Sequence, residues 1–485
     1  MKNRLGMYIH MHWGYNHPYA ARTWTMEDWR GYAQGLTALG FNMIQIWPMY
    51  ETMPDPLTPS DEAHLTKIRD VIDLLHDEFG MRVLITLGPN TMGNDKAGDY
   101  TFETRPFFAT DLRLNPGDPA AMDRLLNVRR TLFRYLSNAD GFTIIDSDPG
   151  GYIGSTNVEF ANLLFRHMDV IKEYNPNAIL FYWMHVGWET YNRMWQQIEE
   201  TKGPVDLHFT VGDFDEVISL LMKRPDENWM VTSGMQVHQD AIVKHGVQDR
   251  TMFFSYGVVE GEPTFPLTNY YPDWMGEMLK RYNPNHMRQG AMANAQTHVV
   301  QLPHTYMYSH FIKGGIVENL DIAGFADGLI PGMGNLIADS WKSMYSGDTT
   351  NMRALAHKVH DVSDAQFVEG PYTGLLFGSA QRFMEDLAMQ LQYRAASVDF
   401  IQTMEVADEW RAPLQDLHDT WRVWQERTGF VDAYGDVQGI HAALRKLNDT
   451  GIDAVLHDFE DWSNPSIRHG ILPRLLDAML AKASS

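Results

Sequence analysis

The chain contains no cysteine among its 485 residues. Disulfides, thiolate nucleophiles and cysteine-ligated zinc are thereby excluded, and the redox compartment stays open. No stretch approaches the ~20 apolar residues that a membrane-spanning helix requires. The opening residues, MKNRLGMYIHMHWG, carry Lys2 and Arg4 but no apolar segment and no small-residue cleavage site. No signal peptide is visible there, which leans the expected location toward the cytoplasm. Positive charge is scarce: Lys plus Arg number 39 against 62 for Asp plus Glu, a net charge of −23. Such a surface repels phosphate backbones and anionic lipid, so neither nucleic acid nor a membrane is expected as a partner. No G-x-G-x-x-G follows the first apolar run, which argues against a dinucleotide cofactor, and no cofactor is expected.

What is present is enough apolar material for a large core or two. The hydrophobic fraction is 44%, and the length implies more than one domain. The 14 Trp and 21 Tyr are notable because flat amphipathic rings line sugar-binding clefts, although most of them must be core.

The first ~330 residues repeat a short apolar run, a polar loop and a stretch of helical periodicity, which is the rhythm of βα units. Strands are expected at 6–13, 41–49, 81–90, at the start of the stretch 141–156, and at 178–188, 205–212, 228–234, 251–261 and 290–296. Helix starts are marked by Thr25 with Asp28, by Thr58 followed by Pro59, and by Thr156 with Glu159, while Gly80 marks a stop. The segment 91–118 is too long for a plain connection. Strands apolar on both faces and alternating with helices predict a (β/α)8 TIM barrel over residues 1–335. Only helical patterns follow, predicting a C-terminal α-helical domain over 336–485.

In such a barrel, chemistry sits at the C-terminal ends of the strands. The polar and aromatic residues expected there are His10, His12, Trp47, Asn90, Asp146, Asp148, His185, Glu189, Tyr256, Glu260, Asn294 and Gln296. Asp146 and Asp148 form the sharpest pair. Side chains at i and i+2 of a strand share a face, and two carboxylates held close drive one pKa upward, leaving one acid and one base. That division suits glycosidic bond cleavage. The alternative is a capped turn, since the DSDPGG run is rich in turn formers. As catalytic groups, Asp146→Asn and Asp148→Asn are each expected to remove most activity while leaving the unfolding temperature near wild type.

Two further readings stand beside this one. His10, His12 and His17, with His185 and an aspartate, could begin a metal site, although no H-E-x-x-H or further H-x-H supports it, and no metal is expected. The third reading is a carbohydrate-binding barrel without turnover. Glu260 and Glu262 are either a second carboxylate source or a solvated loop pair. Trp13, Trp47, Tyr152, Trp183 and Tyr271 are the rings placed to stack on a sugar.

The order of several segments resembles barrel glycoside hydrolases of the β-N-acetylhexosaminidase-like group, most of all the family 84 O-GlcNAcase-like enzymes. Asp146-Ser147-Asp148 stands where that family ends its fourth strand in an Asp-Asp pair. WMVTSGMQVHQDAI (229–242) echoes a Trp-Thr-Gly-Pro-x-Val segment. Asn269-Tyr270-Tyr271-Pro272 matches an Asn-Tyr-Pro segment, and GAMAN ends at Asn294. The likeness spans roughly residues 6–310. It implies a carbohydrate substrate, Asp148 as general acid, Asp146 orienting or stabilising the reacting centre, and Asn269, Tyr271 and Asn294 as substrate contacts. The chain departs from that pattern in placing Ser147 between the aspartates, Thr268 before Asn269, and HMHWG at the first strand.

Overall fold

The structure is a computed structural model and describes residues 4–106, 110–147, 149–201, 211–234, 238–255, 257–259, 267–268, 270–406, 411–430, 477 and 481. Eight parallel strands close into a barrel: β1 (Leu5–His10), β2 (Met43–Trp47), β3 (Arg82–Leu87), β6 (Gly141–Ile145), β7 (Ile179–Trp183), β8 (Trp229–Ser233), β9 (Thr251–Ser255) and β10 (Ala291–Ala295), with β10 returning to pair with β1. The (β/α)8 fold class expected from the rhythm is therefore present. Of the strand expected at 205–212, residues 205–210 lie outside the described residues, and its last two open helix α6 (Val211–Leu221). Inside the long 91–118 segment, β4 (Thr91–Gly93) and β5 (Asp111–Arg113) form a small antiparallel pair.

The helix starts follow the sequence signals. In α1 (Met26–Ala38), α2 (Pro59–Phe79) and α4 (Asn157–Tyr174), Thr25, Thr58 and Thr156 each accept from the third helical N–H, while Asp28, Asp61 and Glu159 reach back. Each such cap is worth about 1 kcal/mol. Gly80 ends α2 in the left-handed conformation, at φ 61°. Asp61 does more than cap. Fully buried, it takes a bidentate pair from Arg105 at 2.6 and 3.0 Å, pinning the 91–118 excursion to α2.

The chain divides into two compact units that do not follow a boundary at 335. The first comprises 1–14, 40–256 and 277–296, and holds every barrel strand; the second comprises 15–39, 257–276 and 297–485. Within the second, α1 packs through Gly31 against Gly374, where a side chain on either glycine would meet backbone. The helical region after 336 is present, including α12 (Thr349–Val362), α13 (Ala380–Val406) and α14 (Arg411–Thr428). No helix among the described residues is long and apolar enough to cross a membrane.

Register determines which side chains enter the barrel, because paired residues of adjacent strands share a face. Tyr8 of β1, Trp183 of β7 and Phe254 of β9 meet ring to ring at 4.1 to 5.8 Å between centroids, crossing the barrel interior. Their face carries His10, Gln45, Trp47, Thr86, Thr143, Ile145 and Asn294. The opposite face carries Ile144 and Tyr182, the latter against Phe160 of α4 and Phe214 of α6. An aromatic plug thus closes the barrel below its C-terminal mouth.

Candidate active site

At the mouth, the end of β1 delivers two imidazoles. Nδ1 of His10 lies 2.7 Å from Nδ1 of His12, so one of these nitrogens donates and the other accepts. His10 packs on Trp47, and His12 on Trp13. The indole N–H of Trp13 donates to Oε1 of Gln296 at 3.0 Å, joining the chain after β1 to the chain after β10. Both partners are buried, whereas His10 and His12 are partly exposed. Among the described residues, no group of three or more His, Cys, Asp or Glu comes together to hold a metal ion. His17 lies in the second unit, paired with Asp28 at 2.8 Å.

Trp47 and Trp183, 1% and 2% exposed, belong to the plug and do not line an open cleft. The indole N–H of Trp47 donates to Oε2 of Glu51 at 2.9 Å. Glu51 also accepts from the backbone N–H of Gly88 and faces Arg129 at 3.6 Å, both side chains fully buried. Arg129 donates to the carbonyls of Gly88 and Thr91 at 2.7 and 2.8 Å. Burial pushes the Arg129 guanidinium down, and Glu51 opposes that shift. Gly88 is required because a Cβ would lie 2.6 Å from Oγ1 of Thr91 and 2.8 Å from the carbonyl of Pro149. Asn90, fully buried, uses its amide N–H groups on the carbonyls of Leu114 and Gly151 at 2.7 and 2.9 Å, tying three loops together.

Asp146 follows β6 directly and is completely buried. Its carboxylate accepts from the Tyr182 hydroxyl at 3.1 Å and from the backbone N–H groups of His185, Val186 and Gly187 at 3.0 to 3.3 Å. Ser147 adds a fifth donor, with Oγ 3.0 Å from Oδ1. Its partner Tyr182 lies on the helix-facing side of β7, so Asp146 points away from the aromatic interior. Burial pushes its pKa up to about 6, although the hydrogen bonds from Val186, Ser147, His185 and Tyr182 pull it down. The carboxylate therefore fixes the turn after β7. Asp148 lies outside the described residues, as do Tyr256, Glu260, Glu262 and Asn269.

Ser147 also lies 2.8 Å from Nδ1 of His185. Ser147 is buried and His185 partly exposed, so a buried hydroxyl links the carboxylate to an imidazole that solvent reaches. Sequence reasoning treated Ser147 as a spacer, since a serine in an Asp-Ser-Asp-Pro-Gly run reads as a turn former. Its position at a strand end was the available signal.

Several expected contacts go elsewhere. Glu189 accepts from the backbone N–H of Asn157 at 2.9 Å and pairs with Arg193 at 3.5 Å, serving the N-terminus of α4 instead of the mouth. Tyr271 belongs to the second unit, where its ring meets Tyr345 and its backbone N–H donates to Nε2 of His304. Tyr152, 40% exposed, stands on the loop before α4, with its backbone N–H held by Asn192 at 2.9 Å. Asn294 faces the barrel interior fully buried, and neither atom of its amide finds a partner among the described residues. An unmet buried amide costs about 1–3 kcal/mol, and Gln45 and Thr143 on the same face also carry a buried polar atom without a partner among the described residues.

None of the protein-family models compared matches the chain, and none of the curated proteins does. Solved structures similar to it include the GH5_18 protein from Streptomyces cattleya in complex with GlcNAc, at 13% identity and TM-score 0.37, over 64% of this chain and 80% of that one. The endo-1,4-beta-mannanase from Rhizomucor miehei is similar at 10% identity and TM-score 0.33, over 61% and 86%. Haloferax volcanii malate synthase, in a pyruvate/acetyl-CoA ternary complex, is similar at 9% identity and TM-score 0.34, over 88% and 98%. Likeness this low adds nothing to the fold, which rests on the strand register.

Proposed function

We propose that the chain is a glycoside hydrolase working at the C-terminal mouth of the barrel, with Asp148 as proton donor and Asp146 as a positioning residue. The supporting observation is the chemistry of the mouth: paired imidazoles and an indole–amide clamp, beside a strand end that continues into Asp146-Ser147-Asp148. The nearby guanidinium, Arg129, is taken up by Glu51 and two carbonyls. Such a lining suits a neutral, polyhydroxylated ligand better than a phosphate or carboxylate, which favours exposed cationic donors.

In this reading Asp148 gives its proton to the leaving oxygen as the bond to the anomeric carbon breaks, and the water that supplies the replacing oxygen returns a proton to the Asp148 carboxylate. His10, His12, Trp13, His185, Asn294 and Gln296 contact or position the sugar. The hexosaminidase-like segment pattern makes N-acetylhexosamines the first sugars to try.

A panel of aryl glycosides that includes N-acetylated sugars tests this reading. Release of the aryl alcohol by wild type, reduced in Asp148→Asn, supports it. Tight sugar binding by calorimetry with no release after long incubation would favour the non-catalytic alternative.

A further inference from the structure

We infer that the turn Tyr152-Ile153-Gly154-Ser155, with Arg113 and Trp195 beside it, is an accessory subsite for a second sugar unit, which makes the substrate a glycan of two or more units. The inference deepens the glycoside hydrolase reading and rests on it for turnover, while the surface itself is tested by binding alone.

The turn exposes its side chains but holds its backbone still. Tyr152 and Ile153 are each 40% exposed. Asn192 anchors both ends of the turn: its amide oxygen accepts from the N–H of Tyr152 at 2.9 Å, and its amide N–H donates to the carbonyl of Ser155 at 3.1 Å. Within the turn the N–H of Ser155 donates to the carbonyl of Tyr152 at 2.9 Å, and Gly154, at φ 84°, supplies the positive φ that a turn of this kind requires at its third position. The indole N–H of Trp188 adds a bond to Oγ of Ser155 at 3.1 Å. Gly151, at φ 89°, lies against the ring of Tyr191, where a Cβ would fall 2.9 Å from a ring carbon.

Two further side chains are brought to the same place. One amide nitrogen of Asn90 donates to the carbonyls of both Leu114 and Gly151, so the residues next to them, Arg113 and Tyr152, stand on neighbouring backbones. The Arg113 guanidinium lies 4.7 Å over the ring of Trp195, and Trp195 meets the Tyr191 ring edge-on at 6.0 Å. Arg113 and Trp195 are both partly exposed.

The chemistry of this surface fits a sugar. A pyranose offers an apolar C–H face and a rim of hydroxyls, which an aromatic ring and a guanidinium match in turn. Tyr152 and Ile153 stand between a buried Gly151 and a buried Ser155, an apolar patch two side chains long. A stable protein interface buries about 1,000 Å² or more, far beyond such a patch. The turn also lies on the loop that leaves β6, on the same C-terminal side of the barrel as the proposed bond-cleaving site. A surface already ordered loses little freedom when a ligand settles on it, so its rigidity favours binding.

The test is calorimetric titration of the full-length chain carrying Asp148→Asn to suppress turnover, with β-1,4-linked oligomers of N-acetylglucosamine, glucose and mannose of one to four units. In one of these series the affinity is expected to rise about ten-fold from one unit to two, the size of one added ring contact. Tyr152→Ala in the same background is expected to remove that gain, and Tyr152→Phe to keep most of it. An affinity that does not rise with length in any series, or that rises equally in folded Tyr152→Ala, would overturn the inference. If length-dependent binding through Tyr152 holds while wild type cleaves none of the oligomers, the hydrolase reading fails and the subsite stands. If wild type cleaves them without any length-dependent binding, the hydrolase reading stands and the subsite fails.

Discussion

Oδ2 of Asp146 lies 3.0 Å from the backbone nitrogen of Gly187, so a carboxylate that ends one barrel strand holds the turn that leaves the next. Gly187 adopts φ 100°, and a Cβ there would fall 2.5 Å from Oδ2 of Asp213. The turn is built around two buried carboxylates.

This arrangement changes what Asp146→Asn should do. An amide NH2 cannot accept, so half of the replaced group would face N–H or O–H donors. Leaving such donors unmet costs about 1–3 kcal/mol. Asp146→Asn should therefore unfold at lower denaturant than wild type at neutral pH, contrary to the expectation from sequence alone. An unchanged midpoint would show that the hydrogen-bond set around Asp146 contributes nothing.

The same residue gives a pH signature. Its carboxyl titrates near 6 in the fold, against 3.8 as the ordinary value. Between those values the folded chain holds a proton that the unfolded chain has released. The resulting stabilisation is complete below about pH 3.8 and is lost as pH rises through about 6, amounting to about 3 kcal/mol. The buried histidines His167, His238, His298 and His304, all pushed down by burial, act in the opposite direction. They are shared by both proteins, so the pH-dependent difference between wild type and Asp146→Asn isolates Asp146. Parallel stability curves from pH 4 to 7 would contradict this.

Glu51 is a second carboxylate near the strand ends, but its partners make it structural. Arg129→Met would leave Glu51 buried without its counter-charge, and breaking such a pair costs about 3–5 kcal/mol. Chemical denaturation should show a loss of that order. A loss under 1 kcal/mol would mean that the pair does not stabilise the loop it spans.

The imidazoles of His10 and His12 engage each other, so the account predicts that exhaustive dialysis against a chelator leaves activity intact. Activity lost on chelation and regained with a divalent transition metal would revive the metal-dependent reading.

The fold was legible because its signals are local. Thr25, Thr58, Thr156 and Gly80 announce helix ends through their own side chains or their lack of one, and eight apolar runs fell on the eight barrel strands. The site was less so. β6, GFTII, is buried throughout, and a strand apolar on both faces carries no alternation to say which parity looks inward. The outward orientation of Asp146 emerges only from the register with β7. Ser147 and Glu51 were missed for a related reason: their roles depend on His185 and Arg129, 38 and 78 positions away. Trp47 and Trp183 sit at strand ends as expected, yet the closed barrel draws their rings into its plug.

The central claim is that Asp148 supplies the proton to the leaving group. Its most direct test compares Asp148→Asn with wild type on two glycosides of one sugar, one with an alcohol-like leaving group and one with a dinitrophenolate that departs without help. The account predicts a fall of about 10²–10⁴-fold in kcat/KM on the first and a much smaller one on the second. Equal losses on both substrates, or no loss on either, would contradict it.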